Sequence, residues 1–473
     1  MSIDVLVPTA KIIFISFMTY KIGFIYAILL FFAIYIALIK LAELGLGIEL
    51  VSVYDSLYFI EHKGSPNVIQ TMVIIEKMEY NSFKKLITHK AIQNYIRLRQ
   101  KVDKYFNEVF WREVSIDEAQ ENIRTFPSEM KTLESILNFL EYEFPKPLAL
   151  SRPQWEIFYK ENFNETQSMF VFKHHQALGD GVSLLNLFSG LCDNYNLNDL
   201  ISRVIKVSLV KKILLSVLSP YYIFAILPTF KKDDNNPLEN FSNRFSGENK
   251  LVMTKPFAFA ELKKVYKKYD NCTFNDLAWT LVSRAVDNYS KSTLKITKSN
   301  TIIGTIGVSF RTELVPFELG NSSASTMVRL VAKEDFNDGI RDVRDALKPY
   351  KSKASMIGAS YFLWFIGRLF LNDSLVKRSS DKPGETSETS FEKVCFSLTN
   401  LPGPVDKGLS IAGKKVFDII PFVPHGNLSF SVIAFSYGDQ VRFNFHADKV
   451  YGPDIGQIAE NLEKEISELV KIK

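Results

Sequence analysis

The chain has 473 residues, of which 47% are hydrophobic and 23% are charged, so it suits two or three packed domains and excludes wholesale disorder. Its formal net charge of +5 is spread without a block of Lys and Arg among aromatic residues, which excludes nucleic acid as a partner. The three cysteines, Cys192, Cys272 and Cys395, lie far apart without a CxxC pair, so neither a zinc site nor a disulfide framework is indicated.

The first element is an apolar segment, Ile22–Ile39, that contains no charged residue. A bilayer core takes about 20 apolar residues at about 1.5 Å of rise each, so the segment predicts a transmembrane helix. A cleaved signal peptide is the alternative, but its apolar region is shorter and ends in a small-residue cleavage site. We therefore expect residues 1–45 to form an N-terminal membrane anchor.

Residues 46–205 alternate between short strands and helices. The β-branched run Val68–Glu76 predicts a strand, and Asn81–Lys101 has the apolar spacing of a helix. The run Gln167–Lys173 predicts a buried strand that ends at two histidines, and Gly181–Leu191 predicts the helix that follows them. This pattern is typical of an α/β domain.

A second apolar segment, Ile213–Phe230, differs from the first because Pro220 and Pro228 interrupt it and lysine pairs flank both ends. Such a segment is typical of a re-entrant or interfacial element, and a buried linker fits the pattern equally well. Together with the polar, turn-rich stretch after it, this gives residues 206–250 as an apolar interfacial segment and linker.

Alternation resumes in residues 251–473, which therefore predict a second α/β domain. The polar run Lys377–Lys393 predicts a solvated loop. The predicted elements are a helix over Phe274–Tyr289 and strands over Thr301–Phe310, Val394–Leu398, Leu428–Phe435 and Gln440–His446.

The most informative segment joins the strand that carries His174 and His175 to a helix that begins after Asp180 and Gly181. An unperturbed imidazole has a pKa of about 6.5, which suits proton abstraction at neutral pH. An aspartate near a histidine commonly orients the ring or pairs with an arginine, and glycine permits a sharp turn. A chance pair of histidines at a strand end is the competing interpretation, and the segment alone leaves both open.

The segment resembles the histidine–aspartate–glycine motif of the CoA-dependent acyltransferase superfamily. Five further segments, in the same order, resemble motifs of its wax ester synthase/diacylglycerol acyltransferase branch. Any one match is weak, but six in order from Val53 to the C terminus indicate the fold. The five are Arg152–Glu156, Phe274–Ala278, Ser309–Arg311 followed by Leu319–Asn321, Thr399–Pro404 and Gly426–Ser431.

The resemblance implies an α/β, two-domain CoA-dependent acyltransferase fold of the chloramphenicol acetyltransferase type, here with an N-terminal transmembrane helix. Residues 46–205 would be the N-terminal acyltransferase domain and residues 251–473 the C-terminal one, with a tunnel between them. The second histidine of the motif would act as general base on an alcohol that attacks a long-chain acyl-CoA. No cofactor and no metal are implied, since acyl-CoA is a co-substrate.

The predicted site residues follow from the same motifs. Asp180 is expected to pair with Arg311 as a structural ion pair. Asn275 fits a helix cap as well as a substrate contact, and Asn400 fits a rigid turn as well as a tunnel wall. The full set is His175, His174, Asp180 and Gly181 as catalytic residues, Gln176, Asn275 and Asn400 as substrate-binding residues, and Arg311, Trp155 and Glu156 as structural residues.

The spacing departs from the family's in one respect: four residues, rather than three, separate His175 from Asp180. Counted back from Asp180 without a gap, Gln176 falls at the position of the catalytic histidine, and an amide has no basic site at neutral pH. We predict that a one-residue bulge moves His175 into place, which keeps the enzyme active. Without the bulge, the base comes from elsewhere or catalysis is lost.

The leading functional prediction is an O-acyltransferase that makes triacylglycerol or wax ester from acyl-CoA and diacylglycerol or a fatty alcohol. The alternatives are a membrane-tethered pseudoenzyme that binds lipid or acyl-CoA, and a short-chain alcohol acyltransferase of the same fold. We expect acyl-CoA, the acceptor alcohol and membrane lipid as partners. The expected location is the endoplasmic reticulum or plasma membrane, with the catalytic part facing the cytosol.

Overall fold

In the computed structural model, strands and helices alternate along most of the chain. The residues described are 16–20, 23–59, 65–105, 108–127, 130, 132–195, 207–221, 238, 245–296, 301–351, 357–361 and 394–471.

The N-terminal apolar segment forms helix α1, Phe24–Leu46, which ends at Gly47 in the left-handed conformation, with φ of 61°. Several side chains of this helix fall outside the described part of the structure. Among the residues described, no helix has the length and apolar character needed to cross a membrane, so the predicted transmembrane helix is unsupported.

The elements of the first half follow the sequence pattern except in one stretch. The strand over Val68–Glu76 and the helix over Gly181–Leu191 are confirmed to the residue. The first-half elements are β1 (Ile48–Leu50), α2 (Val53–Ser56), β2 (Val68–Glu76), α3 (Tyr80–Ile87), β3 (Gln100–Tyr105), β4 (Glu108–Glu113), α4 (Ile116–Gln120), β5 (Ile123–Thr125), α5 (Leu133–Glu143), β6 (Trp155–Lys160), β7 (Gln167–His175), α6 (Gly181–Leu191) and α7 (Leu209–Val217).

The helix predicted over Asn81–Lys101 is wrong beyond its first two turns. Helix α3 ends at Ile87, and the chain continues through a π-helical turn, Thr88–Ile92, and a 3₁₀ turn, Ile96–Arg99. Strand β3 then begins at Gln100 and pairs with β4. Local apolar spacing predicted one long helix, but the pairing of β3 with β4 determines where it stops.

The second half begins at β8 and carries the other predicted elements within a few residues. The predicted helix over Phe274–Tyr289 extends to Ser292. The second-half elements are β8 (Asn249–Met253), β9 (Phe257–Ala258), α8 (Phe259–Lys267), α9 (Phe274–Ser292), β10 (Thr301–Ser309), β11 (Ser323–Val331), α10 (Phe336–Leu347), β12 (Phe396–Pro402), β13 (Ser410–Ile411), β14 (Lys414–Phe422), β15 (Phe430–Tyr437), β16 (Gln440–Asp448) and α11 (Ile455–Lys471).

Two large sheets organise these elements. The first sheet has the strand order β13-β14-β2-β7-β6-β5, and the second has the order β11-β10-β12-β15-β16-β8, with β9 added on β16. A small third sheet has the order β1-β4-β3. Strand β14 pairs antiparallel with β2, so the second half of the chain completes the sheet of the first half. The two halves are therefore interlocked rather than only adjacent.

Aromatic packing holds helix α9 on the second sheet. Trp279 of α9 lies over Phe396, with 5.4 Å between ring centroids, and Phe396 stacks on Phe430 at 5.1 Å. All three rings are completely buried. These three rings therefore belong to the hydrophobic core between α9 and the second sheet.

The second apolar segment is described only in part. Helix α7 covers its start, and Leu215 packs on Phe310 and Ile357, while Leu209 and Val210 are exposed. Residues 222–230, most of the linker that follows and the predicted loop Lys377–Lys393 lie outside the described residues.

Two glycines of β10 test the packing of Trp279. A Cβ atom added at Gly304 would lie 2.8 Å from Cη2 of Trp279, whereas one added at Gly307 would meet no atom within 4 Å. We expect Gly304→Ala to lower the free energy of unfolding by about 1–3 kcal/mol, since over-packing forces the core to shift. Gly307→Ala is the matched control and should be at least as stable as the parent in denaturant titrations. Equal midpoints for the two variants would contradict this packing.

Candidate active site

The two histidines lie at the end of β7, an interior strand of the first sheet. The strand pairs with β2 without a break in register, from Gln167 opposite Glu76 to His175 opposite Val68. Because the side chains of a strand alternate between its two faces, His174 points to one face of the sheet and His175 to the other.

A cavity of about 390 Å³ is walled by both large sheets and by α6. The contribution of the first half of the chain is mainly apolar, and we call it the apolar wall: Ile87, Leu98, Ile157, Phe170, Phe172 and Leu187. Strands β10, β11 and β12 contribute a row of small hydroxyl side chains, which we call the hydroxyl wall: Thr305, Ser323, Ser325, Ser397 and Thr399.

The cavity wall includes His174 and Gln176 but not His175. His175 lies on the other face, where its ring stacks on Phe59 at 4.7 Å and its Nδ1 accepts a hydrogen bond of 3.1 Å from the backbone N–H of Ala177. The predicted shift of His175 into the cavity is absent, because the pairing with β2 is regular up to His175 and this ring is not part of the cavity wall. The catalytic role assigned to His175 thus has no support in this geometry, and Gln176 holds the position given by the gapless count.

Asp180 connects the histidine loop to the second half of the chain. Its Oδ1 caps α6 by accepting hydrogen bonds from the backbone N–H groups of Val182 and Ser183, at 3.1 and 3.0 Å. Nη2 of Arg311 donates to both carboxylate oxygens at 3.0 Å, and the backbone N–H of Ser322 donates to Oδ2 at 2.8 Å. The two charged side chains are only 6% and 11% exposed, so the ion pair implied by the resemblance is present and buried.

The turn at Gly320 and Asn321 completes this junction. The backbone oxygen of Gly320 accepts hydrogen bonds from Nη2 of Arg311, at 2.8 Å, and from Oγ of Ser183, at 2.7 Å. Nδ2 of Asn321 donates to the backbone oxygen of Gln176 at 3.0 Å. The turn therefore fixes the backbone of the residue that stands where the family's histidine is expected.

Glycine is required at two positions of the loop because other atoms approach closely. A Cβ atom at Gly179 would lie 2.8 Å from Cβ of Ser183 and 3.2 Å from the backbone nitrogen of Gly320. At Gly181 it would lie 2.8 Å from Cδ1 of Leu401. Gly181, predicted as a catalytic residue, thus lets α6 approach β12.

His174 is the imidazole of the motif that faces the cavity. Its ring stacks on Phe172 at 4.7 Å and is completely buried, and neither ring nitrogen makes a hydrogen bond of good geometry to a described residue. Burial is the main cause that lowers the pKa of His174 to about 3; the backbone of Phe172 opposes this shift, and the neighbouring His175 adds to it. The ring is therefore neutral at physiological pH.

The other predicted residues divide between the wall and the scaffold. Neither Asn275 nor Asn400 belongs to this cavity wall, although Thr399 and Leu401 on either side of Asn400 do. Strand alternation explains this for Asn400. For Asn275, the cap of α9 is built instead by Thr273 and Asp276.

The two residues predicted as braces are in place. Nε1 of Trp155 donates a hydrogen bond of 2.8 Å to the backbone oxygen of Leu98, and Glu156 pairs with Arg124 at 3.1 Å. Trp155 also lines the cavity, a contact that the sequence did not indicate.

Asp55 is a buried polar residue that sequence reasoning missed. Its Oδ1 accepts hydrogen bonds from the backbone N–H and from Nδ2 of Asn321, at 2.9 and 2.8 Å, and burial raises the pKa of its carboxyl group. Its only sequence signal is Ser52, three residues earlier, which caps the short helix α2. Among the described residues, no three histidine, cysteine or acidic side chains come together as a metal site would require.

Comparisons with known proteins show which family model and which solved structures resemble this chain. Residues 319–470 match the family model described as the WS/DGAT C-terminal domain. No curated protein matches the chain. A wax ester synthase/diacylglycerol acyltransferase from Marinobacter aquaeolei VT8 is similar in structure, with a TM-score of 0.57 and 15% identity over 89% of this chain and 98% of that one.

Two other solved structures share the fold. One is the TRI3 trichothecene 15-O-acetyltransferase from Fusarium sporotrichioides, with a TM-score of 0.61 and 10% identity over 89% of this chain and 94% of that one. The other is the starter condensation domain of rhizomide synthetase RzmA, with a TM-score of 0.58 and 12% identity over 91% and 95%. The chain thus has the two-domain α/β fold of these acyltransferases and condensation domains. The resemblance to the wax ester synthase/diacylglycerol acyltransferase family is confirmed by the family model over residues 319–470.

The Asp180–Arg311 pair predicts a large loss of stability. Asp180→Ala leaves the Arg311 guanidinium buried without its partner, so the free energy of unfolding should fall by about 3–5 kcal/mol. The exposed pair of Glu76 with Lys414, at 3.2 Å, is the matched control, and Glu76→Ala should leave the denaturation midpoint almost unchanged. An Asp180→Ala protein as stable as the Glu76→Ala protein would show that the junction does not hold the halves together.

The buried, neutral His174 predicts how stability depends on pH. In the unfolded chain this histidine takes up a proton below a pKa of about 6.5, while in the folded protein it stays neutral down to a pKa of about 3. The free energy of unfolding should therefore fall as the pH is lowered through this window, by up to about 1.4 kcal/mol per pH unit from this group.

Denaturant titrations between pH 6.5 and 4.5 measure this dependence. His174→Gln should reduce the slope of the unfolding free energy against pH, because glutamine does not titrate. His89→Gln, on the exposed surface, controls for the loss of one histidine and should keep the slope of the parent. An unchanged slope in His174→Gln would mean that the folded protein protonates this ring as readily as the unfolded chain does.

Proposed function

We propose that the protein is an acyl-CoA-dependent O-acyltransferase, because residues 319–470 match the model of the WS/DGAT C-terminal domain. Its acyl donor is a long-chain acyl-CoA, and its acceptor is diacylglycerol or a fatty alcohol. The product is triacylglycerol or a wax ester, with CoA as the leaving group.

The observation that carries this proposal is the cavity between the two sheets. Its apolar wall suits a hydrocarbon chain, since burial of each CH₂ group contributes about 0.8 kcal/mol. Its hydroxyl wall can hydrogen-bond the carbonyl of a thioester or the hydroxyl of an acceptor. A site that combines apolar and hydrogen-bonding side chains suits the reactive end of a lipid.

The fold gives independent support for the donor. The related starter condensation domain was solved in complex with C8-CoA, so this fold accommodates an acyl-CoA. In the present chain the cavity is lined by residues of both halves, which the Asp180–Arg311 pair joins at the histidine loop. We infer that donor and acceptor meet at this junction.

A membrane surface is the expected source of the acceptor. Helix α7 packs on the body through Leu215 and exposes Leu209, Val210 and Val217, each more than 70% accessible. Exposed apolar side chains in such number are typical of a surface that contacts a membrane. Lys211 in the same helix suits anionic lipid headgroups. We infer that the catalytic part works on the cytosolic face of the endoplasmic reticulum or plasma membrane.

Gln176 favours a second candidate, a protein of this fold that binds acyl-CoA or lipid without transferring the acyl group. The amide of Gln176 lines the cavity at the position given for the catalytic histidine, and it cannot accept a proton at neutral pH. This candidate predicts binding of acyl-CoA with no ester product.

The test uses full-length protein in membranes, supplied with labelled palmitoyl-CoA and either dioleoylglycerol, hexadecanol or ethanol. We expect labelled triacylglycerol or wax ester above the level of membranes without the protein, and little ethyl ester. Ser325→Phe, which places a ring in the hydroxyl wall, should remove the product. Ser151→Phe adds the same ring on the exposed surface and should not. Retention of palmitoyl-CoA without any ester product would overturn the proposed acyltransferase function and favour the second candidate, a protein that only binds acyl-CoA.

A further inference from the structure

The active site needs a group that accepts the proton of the acceptor alcohol, and few imidazoles of the chain are placed for it. His62 lies outside the described residues, and His89 is on the exposed surface. His446 has both ring nitrogens in hydrogen bonds, with the backbone oxygen of Val423 at 3.0 Å and with Oδ1 of Asn249 at 2.6 Å. Among the described histidines, only His174 and His425 line the cavity.

His425 is held by aromatic neighbours rather than by the histidine loop. Its ring lies 4.8 Å from that of His446 and 5.2 Å from that of Phe245. His174 instead belongs to β7, two residues before Gln176. Strand β7 ends at His175, and Gln176 begins the 3₁₀ turn that follows it. Both His174 and Gln176 line the cavity, so the His174 ring faces the same space as the residue at the family's catalytic position.

We propose that His174 is the general base of this site, acting from the cavity wall two residues before the position that the motif assigns to it. The inference rests on the proposed acyltransferase function. Phe172 stacks on the ring and fixes its plane, and the strand pairs of His174 with Ile69 and Trp155 fix its backbone. Neither ring nitrogen makes a hydrogen bond of good geometry to a described residue, so the ring can accept the hydroxyl of the acceptor.

The reaction balances with His174 as the proton carrier. The ring takes the proton of the alcohol as the alcohol oxygen forms a bond to the thioester carbonyl carbon. The carbon–sulfur bond then breaks, and the CoA thiolate takes the proton from the imidazolium. The products are the ester and CoA thiol, and the ring returns to its neutral form, so no other reactant is needed.

Gln176 has a separate role in this arrangement. Its backbone is fixed by Asn321, and its amide lies in the same cavity as His174. An amide NH₂ donates hydrogen bonds, so it suits the thioester carbonyl oxygen as negative charge develops there. The burial that keeps His174 neutral also makes it a weaker base than an exposed imidazole, so we expect slow turnover.

The test compares kcat and KM of variants in the labelled palmitoyl-CoA assay. His174→Ala should lower kcat by about 10²–10⁴-fold with KM changed only a few-fold, and added imidazole should restore part of kcat. His174→Gln fills the site without a base and should be inactive without rescue, which also covers the case that the alanine variant folds poorly. His89→Ala should keep the parental activity, because this ring is on the surface.

A double variant tests whether an imidazole at position 176 can replace that of His174. The double variant His174→Ala/Gln176→His returns an imidazole to the cavity and should regain activity over His174→Ala alone. The proposal is overturned if wild type is active and His174→Ala keeps its kcat, or if His175→Ala is the variant that imidazole rescues. An inactive wild type would instead overturn the acyltransferase function itself, and with it this role of His174.

Discussion

The structure depends on one buried carboxylate, that of Asp180. It satisfies the first backbone N–H groups of α6, holds the guanidinium of Arg311 and accepts the backbone N–H of Ser322. A charge buried this deeply is stable only when its hydrogen bonds are complete. The histidine loop, helix α6 and the turn at Gly320 and Asn321 must therefore be in place together. The positions of the cavity walls depend on this junction, because it joins the two halves of the chain that line the cavity.

Much of this junction could be predicted from the sequence because the relevant signals are local. The apolar run Gln167–Lys173, the charged and glycine residues after it and the helical spacing of Gly181–Leu191 give the strand–loop–helix unit directly. The partner of Asp180 came from the resemblance, which supplied a pairing between residues 131 positions apart in the chain. No periodicity in the sequence carries that information.

The errors have a common physical cause, which is that strand pairing decides local geometry. Pairing with β2 keeps β7 regular to His175, so the bulge that would rotate this ring into the cavity does not form. Pairing with β4 ends the helical stretch before Gln100. The crossing of β14 into the first sheet, and the position of β12 beside β10 in the hydroxyl wall, arise from pairings between residues far apart in sequence.

The alternation of side chains along β7 turns His175 away from the cavity and His174 towards it. The position of His174 bears on whether the site is catalytic. A protein that only binds an acyl chain gains nothing from a buried imidazole without hydrogen-bond partners, since an aliphatic side chain there avoids the loss of solvation. His174 nevertheless stacks on Phe172 in a wall whose other side chains are mainly apolar. A polar group in such a place is stable when the ligand completes its hydrogen bond, and the hydroxyl of an acceptor alcohol meets that requirement where a hydrocarbon chain does not. The placement of His174 therefore favours a cavity that takes the reactive end of a substrate over one that only stores its chain.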